Sequence, residues 1–519
     1  MDKILNNRIY IIFLFPFLLG LLTVFSFQPF NFTIVNFFIL PMLFLILTYV
    51  NKKSKNIYRK KPYLINLFFV GYFFGIGYFI SGIYWISYSL TFDDSFKYLI
   101  PFSLIGIPLF LGLFFGVATL SVGRLVQNNF SSILIFCASL SIVDFLRGNI
   151  LSGFPWNLWA YSWSWFPEVL QILKIFGLFG FNLLAITIFC IPLFLVFYRK
   201  KYNIIFLFFF IVLFFLNYIY GSSTINKNTR ELNNFDYNKN NSINIRLISP
   251  SMELKYNLSA EEVKQSLLNL IKYSDPDKDK NTVFIWPEGV FTGYSYKELL
   301  QYKNIFNESF SNNHVIIFGI NTSKNNNDSF NSLIAVNNNF EIIYQYNKKK
   351  LVPFGEFLPV ENILSSFGLK KVTQGYTSFT KGGNQKNLII KNFNILPLIC
   401  YEIIFPSLIQ NRDKKTNLII NISEDAWFGG SIGPYQHFAK AIFRSIESDI
   451  FLARTANRGI SAFIDNKGNI VKSLKISEKG HIELNVPLLK NNSQNKNDLI
   501  FLLLLFTYTI IFFTLRNKL

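Results

Sequence analysis

Eight stretches of this chain are long and apolar enough to cross a bilayer as helices, and nothing else in the sequence constrains its fold as strongly. They cover residues 9–27, 32–50, 64–90, 98–123, 131–146, 169–198, 203–220 and 499–515. A helix needs about 20 mostly apolar residues to span the hydrocarbon core. Seven runs precede residue 221, which predicts a membrane domain over 1–220 with seven transmembrane helices and a final transmembrane helix within 499–519. The intervening 221–498 alternates short strand-like runs with loops rich in Asn, Lys and Gly, the pattern of a soluble domain. Composition agrees: 51% of residues are hydrophobic and only 15% charged, too few polar groups for a wholly soluble chain of this length. The first run lacks a small-residue cleavage site and leads into Phe25-Ser26-Phe27-Gln28-Pro29, so it reads as an uncleaved anchor.

Charge orients the spans. The net charge is +20, and outside 221–498 there are 17 Lys+Arg against 5 Asp+Glu. Fourteen of those 17 fall on one side: Lys3 and Arg8, the cluster Lys52 to Lys61, Arg124, Arg199 to Lys201, and Arg516 with Lys518. The positive-inside rule makes that side cytoplasmic. An even number of spans then puts both termini inside and 221–498 on the opposite side. Orientation accounts for every basic cluster. Short basic loops flush with spans cannot wrap a duplex, and no nucleic-acid motif is present, so nucleic acid is not expected as a partner. Three cysteines and three histidines, without CxxC spacing, give no disulfide scaffold and no metal signature. Asp144 and Arg147, near a span end, are costly unless paired or interfacial. Trp156, Trp159, Trp163 and Trp165 read as an interfacial aromatic belt.

Four segments of the soluble stretch carry chemistry. Val283-Phe-Ile-Trp286-Pro287-Glu288-Gly289 is an apolar strand ending in a carboxylate at a turn. Tyr346-Asn-Lys348-Lys349-Lys350-Leu351-Val352-Pro353-Phe354-Gly355-Glu356 combines lysines with a second glutamate. Ile395-Leu-Pro-Leu-Ile399-Cys400-Tyr401-Glu402 is a strand ending in a thiol, and Leu418 to Gly429 has the same strand-then-polar form, ending in Ser423-Glu424-Asp425-Ala426-Trp427-Phe428-Gly429. Function on loops after strands is the usual arrangement of an α/β site. A thiol must lose its proton to act as a nucleophile; a glutamate can take it and a lysine can stabilise the anion. No histidine falls in these segments, which disfavours a Cys–His pair. Taken singly, Cys400 is also compatible with a small buried hydrophobe, Glu288 with a turn residue, and the lysines with a solvated charge run.

WPEG, YxKxxLVPFGE, CYE and SEDAWFG, in this order, resemble the carbon–nitrogen hydrolase (nitrilase) superfamily. The resemblance implies an αββα sandwich and a Glu-Lys-Cys triad, which falls on Glu288, Lys348 and Cys400. It further implies that Glu356 assists the triad, that Tyr401 and Glu402 support the nucleophile, and that Tyr256 and Trp427 contact substrate. Seven spans, an extracytoplasmic domain of this kind and a last span, together with Arg147-Gly-Asn-Ile-Leu-Ser-Gly-Phe-Pro-Trp156, resemble the apolipoprotein N-acyltransferases of Gram-negative bacteria over essentially the whole chain. Two positions depart from that pattern: Tyr256 stands where the family often has Trp, and Arg458 replaces a small polar residue.

That resemblance implies acyl transfer from a phospholipid, with phosphatidylethanolamine as the expected donor, to the α-amino group of a diacylglyceryl-cysteine at the N-terminus of an apolipoprotein, through a Cys thioester. It implies no cofactor, a monomer, and a bacterial inner-membrane location with the catalytic domain in the periplasm. Val352 to Phe354, Phe357 to Pro359 and Ile363 to Leu369 are either the apolar rim of a lipid entrance or ordinary core. The alternatives are a membrane-tethered amidase or nitrilase that passes the acyl group to water, and a transporter or scaffold with an inactive domain. The triad does not separate the first from acyl transfer; retention of all three triad residues argues against the second.

Overall fold

The computed structural model describes residues 7–57, 63–197, 201–237, 241–255, 258–324, 328–367, 370–372, 378–489 and 497–516. The chain divides into two compact units: Met1–Ser87 with Lys97–Ile225 and Asn495–Leu519, and Tyr88–Phe96 with Asn226–Gln494.

The first unit is helical. Among the described residues eight helices are long and apolar enough to cross a membrane: Ile9–Ser26, Thr33–Lys53, Leu64–Thr91, Asp94–Gly123, Phe130–Asn149, Leu173–Val196, Ile204–Asn233 and Asn497–Leu515. The sixth starts later than apolarity alone suggests, because a separate short helix, Pro167–Leu170, takes up the beginning of that run. Glycines let the first, third and fourth spans touch through their backbones. A Cβ on Gly20 would lie 2.1 Å from the Phe74 carbonyl oxygen, and one on Gly77 would lie 2.1 Å from that of Phe17. Between lipid-soluble helices such close packing replaces the hydrophobic drive available in water.

The polar stretch after the fifth span is organised by a buried ion pair. Arg147 Nη2 lies 2.9 Å from Asp144 Oδ1 and both side chains are buried. Arg147 also donates to the carbonyls of Phe154 and Asn157, and Asn182 Nδ2 donates to Asp144 Oδ2 at 3.0 Å. The pairing meets the cost that an isolated intramembrane charge would incur. It also folds the following segment inward, and this corrects the aromatic-belt expectation for three of four tryptophans. Trp156 packs on Trp85 with centroids 4.6 Å apart, Trp159 stacks on Phe74, and Trp163 stacks on Phe189. All three are buried, and Trp165 alone of the four is exposed, at 46%.

The second unit is a two-sheet sandwich. One sheet has the order β12-β1-β2-β3-β4-β5: Gly480–Pro487, Ser242–Ser249, Thr282–Ile285, His314–Ser323, Ser329–Val336 and Ile342–Asn347. The other runs β11-β10-β9-β8-β7-β6: Ile470–Leu474, Ser461–Ile464, Phe451–Asn457, Leu418–Glu424, Phe393–Ile399 and Leu388–Ile390. Each sheet has a parallel centre, β1-β2-β3 and β7-β8-β9. Strand residues alternate between faces. Val283 and Ile285 enter the core shared by both sheets, with Ile395, Ile399, Ile420 and Ile422. Phe284 and Trp286 face the other way, onto helix α1, Ala260–Ser274, through Val263, Leu267 and Leu270. A second helix, α2, Gly433–Ser448, covers the outer face of the other sheet, where its His437 meets Arg454 of β9. This is the α-β-β-α layering expected from the sequence.

Candidate active site

The site forms where strands end. Glu288 follows β2, Lys348 follows β5, and Cys400 follows β7. Parallel central strands place such ends on one edge of each sheet. Packing the sheets face to face then gathers groups more than 100 positions apart in sequence.

Lys348 is buried between two carboxylates. Its Nζ lies 2.9 Å from Glu356 Oε1 and 3.3 Å from Glu288 Oε1. Burial pushes the ammonium toward neutrality, but Glu288 and Glu356 outweigh it and hold Lys348 charged, well above the usual lysine range. Asn331 of β4 bridges the same carboxylates, its Nδ2 donating to Glu288 Oε1 at 2.8 Å and to Glu356 Oε1 at 2.6 Å. The Glu356 carboxylate also accepts from Val352 N at 2.9 Å, and Glu288 Oε2 accepts from Glu424 N at 3.1 Å. Each carboxylate is therefore oriented by at least two donors besides the lysine or shared with it.

Cys400 opens a 3₁₀ turn, Cys400–Ile404, and has φ of +48°. A non-glycine residue in the left-handed region carries backbone strain, and such strain clusters at functional sites. Burial and the Glu288 charge push the Cys400 thiol up, while Lys348 and a hydrogen bond with Ser423 pull it down; the net shift is upward. The thiol is thus protonated, and a base would have to take its proton for it to act as a nucleophile.

Glu402 ties the cysteine turn to the lysine strand. It is fully buried and accepts from Ile399 N at 2.9 Å on one side, and from Lys349 N at 2.7 Å and Lys350 N at 3.1 Å on the other. The Tyr346 hydroxyl donates to it at 3.0 Å. Burial raises its carboxyl despite these donors.

The structure therefore brings Glu288, Lys348, Glu356 and Cys400 together, with Glu402 as a strap. Tyr401 is buried with its ring edge-on to Phe405 at 5.0 Å. Trp427 is half-buried and meets the edge of Phe92 at 5.4 Å. Phe92 belongs to Tyr88–Phe96, which takes in the end of the third span and the start of the fourth and groups with this unit. Tyr256 lies outside the described residues. Arg458 sits at φ +53° with Nη2 3.5 Å from Glu253.

Sequence reading missed Asn331, an ordinary residue inside a strand, and gave no role of its own to Glu424 of the SEDAWFG segment. Glu424 is buried, raised well above the usual carboxyl range by burial, and held by Asn457 Nδ2 at 2.8 Å and Ala426 N at 3.0 Å. It explains Gly289 of WPEG: φ there is +75°, and a Cβ would lie 2.8 Å from Glu424 Oε2. No histidine was found in the motifs, yet α2 brings His437 to Cys400, where Nε2 lies 3.3 Å from the main-chain carbonyl oxygen. That contact is with the backbone, so it is not a Cys–His catalytic pair. Among the described residues no group of three His, Cys, Asp or Glu side chains could hold a metal.

Residues 19–191 match the family described as apolipoprotein N-acyltransferase N-terminal domain, and residues 248–488 match carbon-nitrogen hydrolase. Apolipoprotein N-acyltransferase of Rickettsia prowazekii (strain Madrid E) is 33% identical over 478 residues, covering 91% of each chain. That of Rickettsia typhi (strain ATCC VR-144 / Wilmington) is 34% identical over 484 residues, again 91% of each. Among solved structures, an amidase from Nesterenkonia sp. is similar at 14% identity and a TM-score of 0.35, covering 50% of this chain and 96% of that one. With two domain matches in order and relatives aligned over nine-tenths of both lengths, the chain belongs to the apolipoprotein N-acyltransferase family, as a multi-pass membrane enzyme with a carbon–nitrogen hydrolase domain.

Proposed function

We propose that Glu288, Lys348 and Cys400 carry out lipoprotein N-acylation through a thioester on Cys400. The observation that supports this best is the buried constellation in which one lysine is held between Glu288 and Glu356 beside a strained, protonated cysteine. Glu288 takes the Cys400 proton. The thiolate attacks an ester carbonyl of a phospholipid, with phosphatidylethanolamine the expected donor. Lys348 and main-chain donors after Cys400 stabilise the oxyanion. The ester C–O bond breaks, the departing alkoxide takes the proton back from Glu288, and a lysophospholipid leaves. In the second half the α-amino group of a diacylglyceryl-cysteine attacks the thioester carbonyl and gives its proton to Glu288. The C–S bond breaks, the amide forms, and the thiolate is reprotonated.

Glu356 holds Lys348 in place, and Glu402 keeps the lysine strand and the cysteine turn in register. Tyr256 and Trp427 are assigned to substrate contact. A membrane-anchored site suits these substrates. Withdrawing an acyl chain from a bilayer costs about 0.8 kcal/mol per CH₂, on the order of 10 kcal/mol for some 16 carbons. Phe354, Val360 and Ile363 are exposed on the segment after Lys348, as an apolar rim for a lipid entrance requires, whereas Leu358 is buried. In this reading residues 1–220, 221–498 and 499–519 are membrane domain, periplasmic catalytic domain and last span, in a bacterial inner membrane with both termini cytoplasmic. One chain supplies every group used, so a monomer suffices.

The test is mass spectrometry of the purified protein with phosphatidylethanolamine and a diacylated lipopeptide. The expected result is a gain of one acyl chain on the peptide amine and a transient acyl adduct on Cys400, both lost in Cys400→Ala. Release of free fatty acid or ammonia without acylated peptide would sink the assignment in favour of a hydrolase.

A further inference from the structure

Behind the cysteine turn, on the face of the second sheet away from the core, lies a fully buried polar cluster that the mechanism above does not use. Asp425 Oδ1 lies 3.0 Å from His437 Nδ1 and accepts from Ser423 Oγ at 2.6 Å. Arg454 Nη2 lies 2.8 Å from Asp425 Oδ2 and 3.2 Å from His437 Nδ1, and Arg454 Nη1 donates to Asn421 Oδ1. His437 Nε2 faces the Cys400 carbonyl oxygen at 3.3 Å, and the Phe428 ring closes one side at 5.4 Å. Asp425, Arg454 and His437 are all fully buried.

Counting protons fixes the imidazole. Burial, with Arg454 and Lys440, pushes His437 down to about 4 against the pull of Asp425, so the ring is neutral at neutral pH and carries one N–H. Arg454 has only donors to offer, and one of them points at Nδ1. With the proton on Nδ1, the ring donates to Asp425 Oδ1 at 3.0 Å, but the Arg454 N–H meets that N–H and the Nε2 lone pair faces a carbonyl lone pair. With the proton on Nε2, Nδ1 accepts from Arg454 and Nε2–H donates to Cys400, which satisfies two contacts instead of one at the cost of setting the Nδ1 lone pair against Asp425 Oδ1. Asp425 keeps Ser423 and Arg454 as donors in either case.

We propose that His437 is a positioning residue for the nucleophile: its Nε2–H, in the tautomer selected by Arg454 and the Cys400 carbonyl together, holds that carbonyl and so keeps the left-handed turn that presents the thiol to Glu288 and Lys348. This rests on Cys400 being the nucleophile. The left-handed conformation is disfavoured for cysteine, so a turn with its carbonyl released relaxes and moves Sγ. Misplacement of a reacting group by about 1 Å costs roughly 100-fold in rate.

Two substitutions separate positioning from mere folding. In His437→Gln the amide nitrogen reaches the place of Nε2 and still donates to Cys400. In His437→Asn the amide reaches only the place of Nδ1, so it stays with Asp425 and Arg454 and loses Cys400. Single-turnover acylation of the full-length enzyme in detergent with phosphatidylethanolamine is followed by the mass of the Cys400 peptide. His437→Gln is expected within about 10-fold of wild type, and His437→Asn about 100-fold slower with an unchanged half-saturating lipid concentration. Equal rates for the two variants would overturn the proposal. A wild-type enzyme that forms no adduct on Cys400 would instead overturn the catalytic assignment beneath it, and this proposal with it. A measurement on the unmodified protein stands apart from variant folding: with three histidines in the chain, ¹⁵N-histidine resonance reads the tautomer directly. A neutral, Nε2-protonated His437 is expected, and an Nδ1-protonated ring would refute the assignment.

Discussion

Asn331 offers the sharpest test of how the carboxylates of the proposed site are held. Its single amide nitrogen donates to Glu288 at 2.8 Å and Glu356 at 2.6 Å, and the side chain is 9% exposed. Asn331→Ala deletes both bonds and leaves two buried acceptors short of a donor. A hydrogen bond to a charged group contributes about 1.5–3 kcal/mol, so two lost bonds bound the destabilisation at about 3–6 kcal/mol. Lys348 remains with both carboxylates, and the main-chain donors Glu424 N and Val352 N are untouched, which points to the lower end, about 3 kcal/mol. Catalysis should suffer more than binding. In the proposed mechanism Glu288 must meet the thiol in one geometry, so loss of orientation is expected to slow thioester formation about 100-fold. Asn331→Asp should be worse, since it sets a third carboxyl against the other two. The assay is single-turnover acylation by intact-protein mass, beside thermal unfolding in the same detergent. If Asn331→Ala acylates within about threefold of wild type, the bridge does not orient Glu288 and the reasoning fails.

Three further outcomes are expected. Arg147→Ala leaves Asp144 buried and unpaired in the membrane unit, which should cost about 3–5 kcal/mol, and Asp144→Asn in the same background should recover part of it; equal thermal stability of the two proteins would refute the pairing argument. Because the folded pKa of His437 is depressed to about 4 against about 6.5 for a free imidazole, the unfolded chain binds more protons between those values. The stabilisation is fully present above pH 6.5 and is lost as pH falls toward 4, by up to about 3 kcal/mol; thermal melts across that range should show the slope in wild type and a flatter one in His437→Gln. Replacing Phe354 and Ile363 together by Ser should raise the half-saturating concentration of phospholipid in vesicles without changing the melting temperature, since both are exposed; a large stability loss with no change in lipid dependence would mark them as core.

The eight spans were legible because burial in lipid demands length and apolarity, properties that a linear run of residues displays without a partner. The four motifs were legible for a related reason. In three of them a strand is followed within three residues by its candidate residue, so Glu288, Lys348 and Cys400 carry their local context with them. Tertiary structure alone decided what stands around them. Asn331 sits inside a strand with no local sign of its task and acts because β4 lies beside β5. Trp156, Trp159 and Trp163 looked interfacial by composition, but the Asp144–Arg147 pair turns their segment inward. His437 lies 37 residues from Cys400 and reaches its carbonyl only because α2 folds back over the second sheet. Sequence spacing records which residues follow a strand; which strands and helices become neighbours depends on burying apolar faces far apart in the chain, and that decided which donors the catalytic groups received.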